Sequence, residues 1–390
     1  MKISKIDQLR ELKDLFKNYP NFVHSNKLKS IENEIPVFVF HTIDPKIFEE
    51  QLEYLKKNNY NTLSINEFYN IIEKKEKSKP NSVLLTVDDA RTSFWKYAYP
   101  LLKKYNSKAT LFVIPGSTRE GNKKQNLHNV WNSEITEKQL KEIDINDDQL
   151  CVWSENKEMY DSGFVDIESH SLFHKDVFVD KNLLGFINHN SSFRPFDSCY
   201  FPYLTFEDIG ETIQPNNYYG LPLFKTDSLM KAPIHYKVSN ELKKICKEIN
   251  LGFDENTSFE RRKNELIKNI GRVEKHLELI KNPVEELTID LAKSREIIKN
   301  QLDGNAGNHL CLPWTLGNNL TIEVAKKVGL KTCFWGVLDN KKINKPGDNP
   351  FNICRIKNDF IFRLPGEGRI SLNSIYLNKI KRRLKSEPIY

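Results

Sequence analysis

Residues 35–115 alternate between short apolar runs and longer segments in which apolar and polar positions mix. The apolar runs are rich in β-branched and aromatic residues, which predicts buried strands at residues 35–40, 60–63, 82–87 and 109–114. Between these runs apolar residues recur every three or four positions, a spacing that predicts amphipathic helices. Asp44 before Pro45, and Ser64 three residues before Glu67, are helix-start signals. The order of elements predicts parallel strands joined by helical crossovers.

The same alternation returns further along the chain. Strands are predicted at residues 164–167, 309–312 and 332–335, and helices at 154–160 and 322–328. Three of the predicted strands end in polar or aromatic clusters. These clusters are Asp88-Asp89, Ser169-His170 and Pro313-Trp314. Catalytic residues of a barrel of parallel strands gather at the carboxyl ends of those strands, so the pattern predicts a single site there.

Residues 176–305 interrupt the alternation and are interpreted as an insertion. Its first part is rich in Phe, Tyr, Pro and Asn and predicts long loops, while residues 238–303 are charged and predict helices. A narrow apolar stripe with helical spacing predicts a helix on the barrel wall, with an oligomer contact as the alternative. The stripe consists of Leu266, Ile270, Val273, Leu277 and Ile280.

Composition favours a folded protein without a membrane span. The chain has 390 residues, 39% of them hydrophobic, with a mean hydropathy of −0.57. No apolar stretch approaches the ~20 residues that cross a bilayer, and the first residues show no signal-peptide pattern. The six cysteines stand singly, as in a reducing compartment. We therefore expect a cytoplasmic protein.

The net charge of +7 is spread along the chain, apart from a basic segment at residues 379–385. A solvated terminus is favoured there over contact with nucleic acid or anionic lipid, and no nucleic-acid partner is predicted. We divide the chain into an N-terminal helix and connector (1–34), the first part of a barrel (35–175), the insertion (176–305), and the second part of the barrel with a basic tail (306–390). The oligomeric state is left open.

Two pairs of residues carry the candidate chemistry. One carboxylate from Asp88-Asp89 and the imidazoles of His170 and His174 form a ligand set for a divalent transition metal. The second carboxylate is then available as a general base. The histidines are spaced i, i+4 and would share one face of a helical turn. Each pair alone has a simpler explanation, since such histidines also occur without metal and Asp often caps a turn.

Several segments together resemble the polysaccharide deacetylases, the nodulation-protein-B-like enzymes of carbohydrate esterase family four. His41 resembles the second residue of a Tyr-His pair common in that family. The resemblance covers about residues 36–175 and 306–365 and skips the insertion. The segments that carry it are Thr86-Val-Asp-Asp89, Ala98-Tyr-Pro-Leu-Leu-Lys-Lys-Tyr105, Ala109-Thr-Leu-Phe-Val113, His170-Ser-Leu-Phe-His174 and Leu310-Cys-Leu-Pro-Trp314.

The resemblance implies a distorted (β/α)₇ barrel and a metal-dependent deacetylase. Asp89, His170 and His174 would hold one divalent ion, zinc or else cobalt or nickel, and Asp88 would be the general base. A backbone N–H near Pro313 would help to hold the oxyanion. The implied substrate is an acetylated carbohydrate, with N-acetyl favoured over O-acetyl and a surface-polysaccharide precursor as one candidate.

Two departures from the family bear on catalysis, beyond the milder changes at Val87 and Ala90. Cys311 stands where many members have an arginine that orients the catalytic Asp, and no Leu-x-His motif follows near the C-terminus. His309 is the candidate substitute for the missing catalytic histidine, with His41 as a second, although a hydrogen-bonded core histidine is an equal explanation for His309.

Four residues are predicted to contact substrate, although aromatic core packing is an alternative for the two tryptophans. They are His41, Pro313, Trp314 and Trp335. The departures keep two other functions open. One is a sugar-binding protein without catalysis, and the other is a hydrolase of a small non-sugar amide.

Overall fold

The computed structural model describes residues 18–142, 149–188, 201–211, 215–254, 256–302 and 304–384. Most of the predicted N-terminal helix and the end of the basic tail lie outside the described residues. Within residues 18–34 the chain forms one short helix, α1 (Asn21–His24).

All seven predicted strands are present, and seven further short strands in the described part of the chain, six in the insertion and one near the C-terminus, were not predicted. The strands are β1 (Val37–Phe40), β2 (Asn61–Thr62), β3 (Ser82–Val87), β4 (Ala109–Val113), β5 (Val165–Ser169), β6 (Asp176–Phe178), β7 (Gly185–Phe186), β8 (Pro222–Leu223), β9 (Thr226–Ser228), β10 (His235–Val238), β11 (Leu277–Ile280), β12 (His309–Cys311), β13 (Thr332–Phe334) and β14 (Ile356–Lys357).

The helices fill the predicted crossovers and much of the insertion. After α1 they are α2 (Pro45–Lys57), α3 (Ile65–Ile72), α4 (Tyr99–Tyr105), α5 (Leu127–Trp131), α6 (Glu137–Glu142), α7 (Trp153–Asp161), α8 (Asn240–Leu251), α9 (Phe259–Ile270), α10 (Val284–Gln301), α11 (Asn319–Lys327) and α12 (Leu372–Leu384). Both predicted helix starts are present. The Asp44 carboxylate accepts the Ile47 N–H at 3.0 Å, and Ser64 forms a capping box with Glu67. None of the described helices combines the length and the apolar character that crossing a membrane requires.

The central sheet is parallel and wraps into a distorted barrel, as predicted. Its strand order is β13-β12-β5-β4-β3-β1-β14, and β2 pairs with β3 outside this path. A parallel bridge between Phe334 and Ile353, supported by the Trp335 N–H donating to the Ile353 carbonyl at 2.8 Å, joins β13 to the segment that leads into β14. Because β14 pairs with β1, this segment closes the barrel.

The barrel interior is a packed apolar layer rather than a channel. Leu84, Phe112, Cys311 and Phe334 are fully buried there, in one cluster with residues of α3. The opposite faces of the strands are covered by helices, so the core has an inner and an outer layer. This packing leaves the carboxyl ends of the strands as the place where polar side chains collect.

The second part of the insertion contains helices as predicted, namely α8, α9 and α10, but two other features differ from the prediction. The expected loops contain short strands, and β6, β9, β10 and β11 form an antiparallel sheet in the order β11-β10-β6-β9. The apolar stripe is not one helix, because α9 ends at Gly271, whose φ of +72° is a left-handed conformation that stops a helix. Residues 277–280 then satisfy their backbone groups by pairing with β10. The helix that packs on the barrel wall is α10, through Leu287 and Leu291.

Candidate active site

Three buried side chains converge at the carboxyl ends of β3 and β5. The ligand atoms of Asp89, His170 and His174 all lie within 4.8 Å of one another. Asp89 Oδ1 is 3.5 Å from His170 Nε2, and all three residues are at most 3% exposed. Strands β3 and β5 flank β4, so the sheet topology brings these distant residues together.

The histidines converge through a strained loop and not through the helical turn that was predicted. Ser171 and His174 both have positive φ, at 65° and 55°, and the Ser171 hydroxyl accepts the His174 N–H at 3.0 Å. Asp89 and Ala90 also lie in this region, with φ of 72° and 54°. Left-handed conformations at residues other than glycine carry a cost, and they concentrate at functional sites.

The donor set fits a divalent cation. His170 Nδ1 is 2.9 Å from the Cys311 carbonyl oxygen, which can only accept, so Nδ1 carries a proton and Nε2 faces Asp89. Burial lowers the pKa of His174 to about 3, so its imidazole is neutral at pH 7. Burial opposes the charge of Asp89, but its hydrogen bond with His170 and nearby positive groups hold the pKa of Asp89 well below its usual range. Burial opposes the charge of His170 as well, but Cys311, Asp89 and Asp88 outweigh it and raise the pKa of His170 well above its usual range. A divalent ion bound at Nε2 would take the place of the proton that these groups favour there. One carboxylate and two imidazoles are ligands that zinc prefers.

Asp88 lies beside this group in a bidentate ion pair with Arg355. Arg355 Nη1 donates to Asp88 Oδ1 at 2.6 Å and Nη2 donates to Oδ2 at 2.8 Å, with both residues buried. Cys311 Sγ lies 3.4 Å from Oδ1, and His41 Nε2 lies 3.8 Å from Oδ2. Burial works against the charge of Asp88, but the Arg355 guanidinium outweighs it and lowers the pKa of Asp88. Asp88 is therefore ionised at neutral pH.

A second group of potential ligand atoms, from Asp88, His170 and Cys311, is equally compact. Arg355 already donates to both oxygens of Asp88, however, and burial raises the pKa of the Cys311 thiol. A cation beside Asp88 would be repelled by the guanidinium. The group around Asp89 is therefore the better cation site.

The predicted substrate contacts lie in different places around this centre. His41 follows β1 next to Asp88, and Pro313 is buried. Trp314 is 49% exposed, its ring centroid lies 4.8 Å from that of His174, and its indole N–H donates to Asp176 Oδ1 at 3.3 Å. Trp335 lies after β13, and its indole N–H donates to a backbone carbonyl, that of Phe351, at 2.8 Å. Of the two tryptophans, Trp314 thus forms the exposed wall beside the histidines.

These residues fall inside a segment that is similar to a known family. The model of the family described as polysaccharide deacetylase matches residues 75–191, which contain both carboxylates and both histidines. Over these residues the chain is similar to the polysaccharide deacetylases.

The chain is similar to curated relatives over part of their length. The poly-beta-1,6-N-acetyl-D-glucosamine N-deacetylase of Staphylococcus aureus (strain MSSA476) is 31% identical over 131 residues, which are 34% of this chain and 37% of the relative. The Bacillus subtilis (strain 168) protein YxkH, whose name refers to polysaccharide deacetylases, is 33% identical over 118 residues, 28% of this chain and 38% of the relative. The matched region thus spans little more than a third of these curated relatives. The solved structure of IcaB from Ammonifex degensii aligns with a TM-score of 0.49 and 16% identity over 87% of this chain and 98% of that chain.

His309 does not lie beside Asp88 or the metal-ligand candidates. It begins β12, whereas Asp88 and the metal-ligand candidates follow the carboxyl ends of their strands. Its Nδ1 is 2.9 Å from Thr332 Oγ1, its ring contacts that of Tyr69, and burial lowers its pKa to about 3. These contacts favour the core-histidine explanation, and the predicted catalytic role of His309 has no geometric support.

Two parts of the candidate site were missed in the sequence. Arg355 was overlooked, because nothing in the sequence around it shows that it pairs with Asp88. The other part comes from α10 of the insertion. Asp290 accepts the Leu172 N–H at 3.1 Å, and the Ser294 hydroxyl lies 2.6 Å from that of Ser169. Helix α10 therefore holds the loop that carries both histidines.

Proposed function

We propose that this chain is a metal-dependent hydrolase that removes acetyl groups from a carbohydrate, with N-acetyl favoured over O-acetyl. The observation that carries the proposal is the convergence of Asp89, His170 and His174 beside an Asp88 carboxylate that Arg355 keeps charged. The name of the Staphylococcus aureus relative, a poly-beta-1,6-N-acetyl-D-glucosamine N-deacetylase, supports the N-acetyl group as the target.

Asp89, His170 and His174 would hold the ion, which we infer to be zinc, with cobalt or nickel as alternatives. A divalent ion at this place supplies Lewis acidity to the acetyl carbonyl and lowers the pKa of water toward ~7. The protein contributes a dry, pre-arranged set of ligands. The Cys311 carbonyl fixes the tautomer of His170, and Asp290 and Ser294 fix the loop.

Asp88 is the proposed general base. As water attacks the acetyl carbon, the charged carboxylate takes a proton from it. Cleavage of the carbon–nitrogen bond then releases acetate, and the nitrogen takes up the proton to leave as an amine. Asp88 or His41, whose side chains are 3.8 Å apart, would deliver that proton. Trp314 borders the same space and would limit the access of water.

The structure bears on the alternative of a sugar-binding protein without catalysis. One reason for it was the absence of arginine at position 311. Arg355 supplies the same charge to Asp88 from another part of the chain, which weakens that reason. The other reason remains, because residues 310–384 contain no histidine.

The proposal is tested by acetate release from zinc-loaded protein with N-acetylglucosamine oligomers and with O-acetylated sugars. Asp88→Asn is expected to abolish release while the zinc content, measured by mass spectrometry, stays the same. The proposal is wrong if the metal-loaded wild type releases no acetate from either class. Turnover of Asp88→Asn at the wild-type rate would remove Asp88 from the role of base. The cytoplasmic location stays a prediction that cell fractionation would test.

A further inference from the structure

Helices α8 and α9 of the insertion pack together and present an open groove to solvent. The groove has a volume of about 660 Å³. One residue between the two helices and five residues of α9 line it, namely Phe253, Arg261, Asn264, Glu265, Ile267 and Lys268. Ile267 is 42% exposed, and Leu251 at the end of α8 is 74% exposed. Large apolar side chains gathered on one exposed surface are typical of a contact site.

One face of α9 is buried against α8. Arg262 donates from Nη1 to Asn250 Oδ1 at 2.7 Å, and Leu266, about one turn later, is fully buried. Three exposed residues lie on the opposite face, since an α-helix turns by about 100° per residue. They are Arg261, Asn264 and Lys268. The predicted apolar stripe therefore turns inwards at Leu266, and the outward face of α9 is mostly polar.

The charges on this outward face complement those of a second copy of the same helix. In an antiparallel pair of α9 helices that cross at Asn264, a residue before the crossing lies opposite the residue equally far after it. Glu260, which is also exposed, then faces Lys268 of the partner subunit, and the twofold axis repeats the pair. Arg261 and Glu265 of the partner subunit lie about 3 Å apart along the helix axis, at a rise of about 1.5 Å per residue, and form a second pair of opposite charges.

The same charges argue against other arrangements and other partners. A parallel pair of helices would place each charge beside its own copy, which is repulsive. Two acidic and two basic residues share the outward face, so their charges cancel and attract neither nucleic acid nor an anionic membrane. These residues are Glu260, Glu265, Arg261 and Lys268. A second copy of this chain is therefore the partner that the charges favour.

The contact would also cover apolar surface. The Arg261 guanidinium lies 5.6 Å from the centroid of the Phe253 ring, and Ile267 lines the same groove. Ile267 is less than one turn from Asn264, so the partner helix would cover it. Two helices of this length bury less than the roughly 1,200–2,000 Å² of a stable interface, so the expected dimer is weak, with a dissociation constant on the order of 10 µM.

We propose that the chain forms a weak twofold dimer in which the outward faces of two α9 helices pack antiparallel across Asn264. The insertion is then an assembly element as well as the support of the histidine loop. The inference is independent of the proposed function, because no residue of this contact is a metal-ligand candidate or the proposed base.

The test is sedimentation velocity of the full chain from about 1 to about 200 µM, a range that spans the expected dissociation constant. Glu260→Lys and Lys268→Glu each place like charges opposite one another at both repeats of the pair, and each should weaken self-association roughly tenfold. An equal mixture of the two variants restores opposite charges at both places, so it should form a heterodimer about as stable as the wild-type dimer. Glu137→Lys and Lys138→Glu are the matched controls, since both residues are exposed on α6, and they should self-associate like wild type.

The mixture separates a lost charge pair from a damaged fold, because damage to either variant would persist after mixing. Circular dichroism of each variant checks the fold directly. Salt should weaken the wild-type dimer, since exposed charge pairs are screened. The inference is overturned if the wild type stays monomeric at the highest concentration, or if either α9 variant self-associates like wild type. A mixture that fails to restore the dimer, or a dimer that salt leaves unchanged, would overturn it as well.

Discussion

Arg355→Met tests whether the ion pair with Asp88 sets the charge of the proposed base. The guanidinium makes two charge-assisted hydrogen bonds, of 2.6 and 2.8 Å, to a carboxylate that is 2% exposed. Removing one partner of such a buried pair costs about 3–5 kcal/mol of folding free energy, because it leaves an uncompensated buried charge. The side chain of methionine fills much of the same space, so the change acts mainly through charge.

The direction of the pH effect follows from the lowered pKa of Asp88. In the wild type the carboxylate is charged above its folded pKa, and the stability that the ion pair adds is lost as pH falls through that pKa. Without Arg355, burial is no longer offset and the pKa of Asp88 rises. The acid limb of the activity profile should therefore move to higher pH. At pH 7 the rate should fall toward the roughly 10²–10⁴-fold loss expected when general-base catalysis is removed.

The assay is the pH dependence of kcat/KM for acetate release, together with urea denaturation of zinc-loaded protein. Arg363→Met is the matched control, because Arg363 is equally buried but donates to backbone carbonyls of Val23 and Ile370. It should lose stability and keep the wild-type pH profile. The reasoning would be refuted if Arg355→Met kept both the wild-type pH dependence of kcat/KM on the acid side and the wild-type rate at pH 7.

Two further predictions concern the metal ligands and their support. His170→Ala should lose bound zinc in equilibrium dialysis, and unchanged zinc content would contradict the ligand assignment. Asp290→Leu should weaken zinc binding roughly 10- to 100-fold because it frees the Leu172 N–H in the histidine loop, whereas Asp290→Asn keeps an acceptor and should bind nearly as wild type. Equal zinc affinity in Asp290→Leu and Asp290→Asn would show that α10 does not position the loop.

Most of the barrel could be predicted from the sequence because its strands, apart from β14, are short apolar runs. Recognisable motifs follow β3 and β5, namely Asp88-Asp89 and His170-Ser-Leu-Phe-His174. The convergence of the ligand candidates could therefore also be predicted. The structure of the insertion could not be predicted, because apolar residues spaced three and four apart fit either one helix or a helix followed by a turn and a strand. Gly271 was the only local signal for that break.

The ion pair of Arg355 with Asp88 could not be predicted for a different reason, and that reason bears on how the site works. The ion pair joins positions 267 apart in sequence, and no local pattern records such a contact. Arg355 belongs to the segment that bridges β13 and β14, so the guanidinium reaches Asp88 only when the barrel is closed. Its Nε also donates to the Trp335 carbonyl at 2.9 Å, and its backbone N–H donates to the Gly336 carbonyl at 3.1 Å. The barrel must therefore be closed for Arg355 to keep the proposed base charged. A chain in which this segment is displaced would keep Asp89, His170 and His174 on their own strands but would lose the ionised carboxylate beside them.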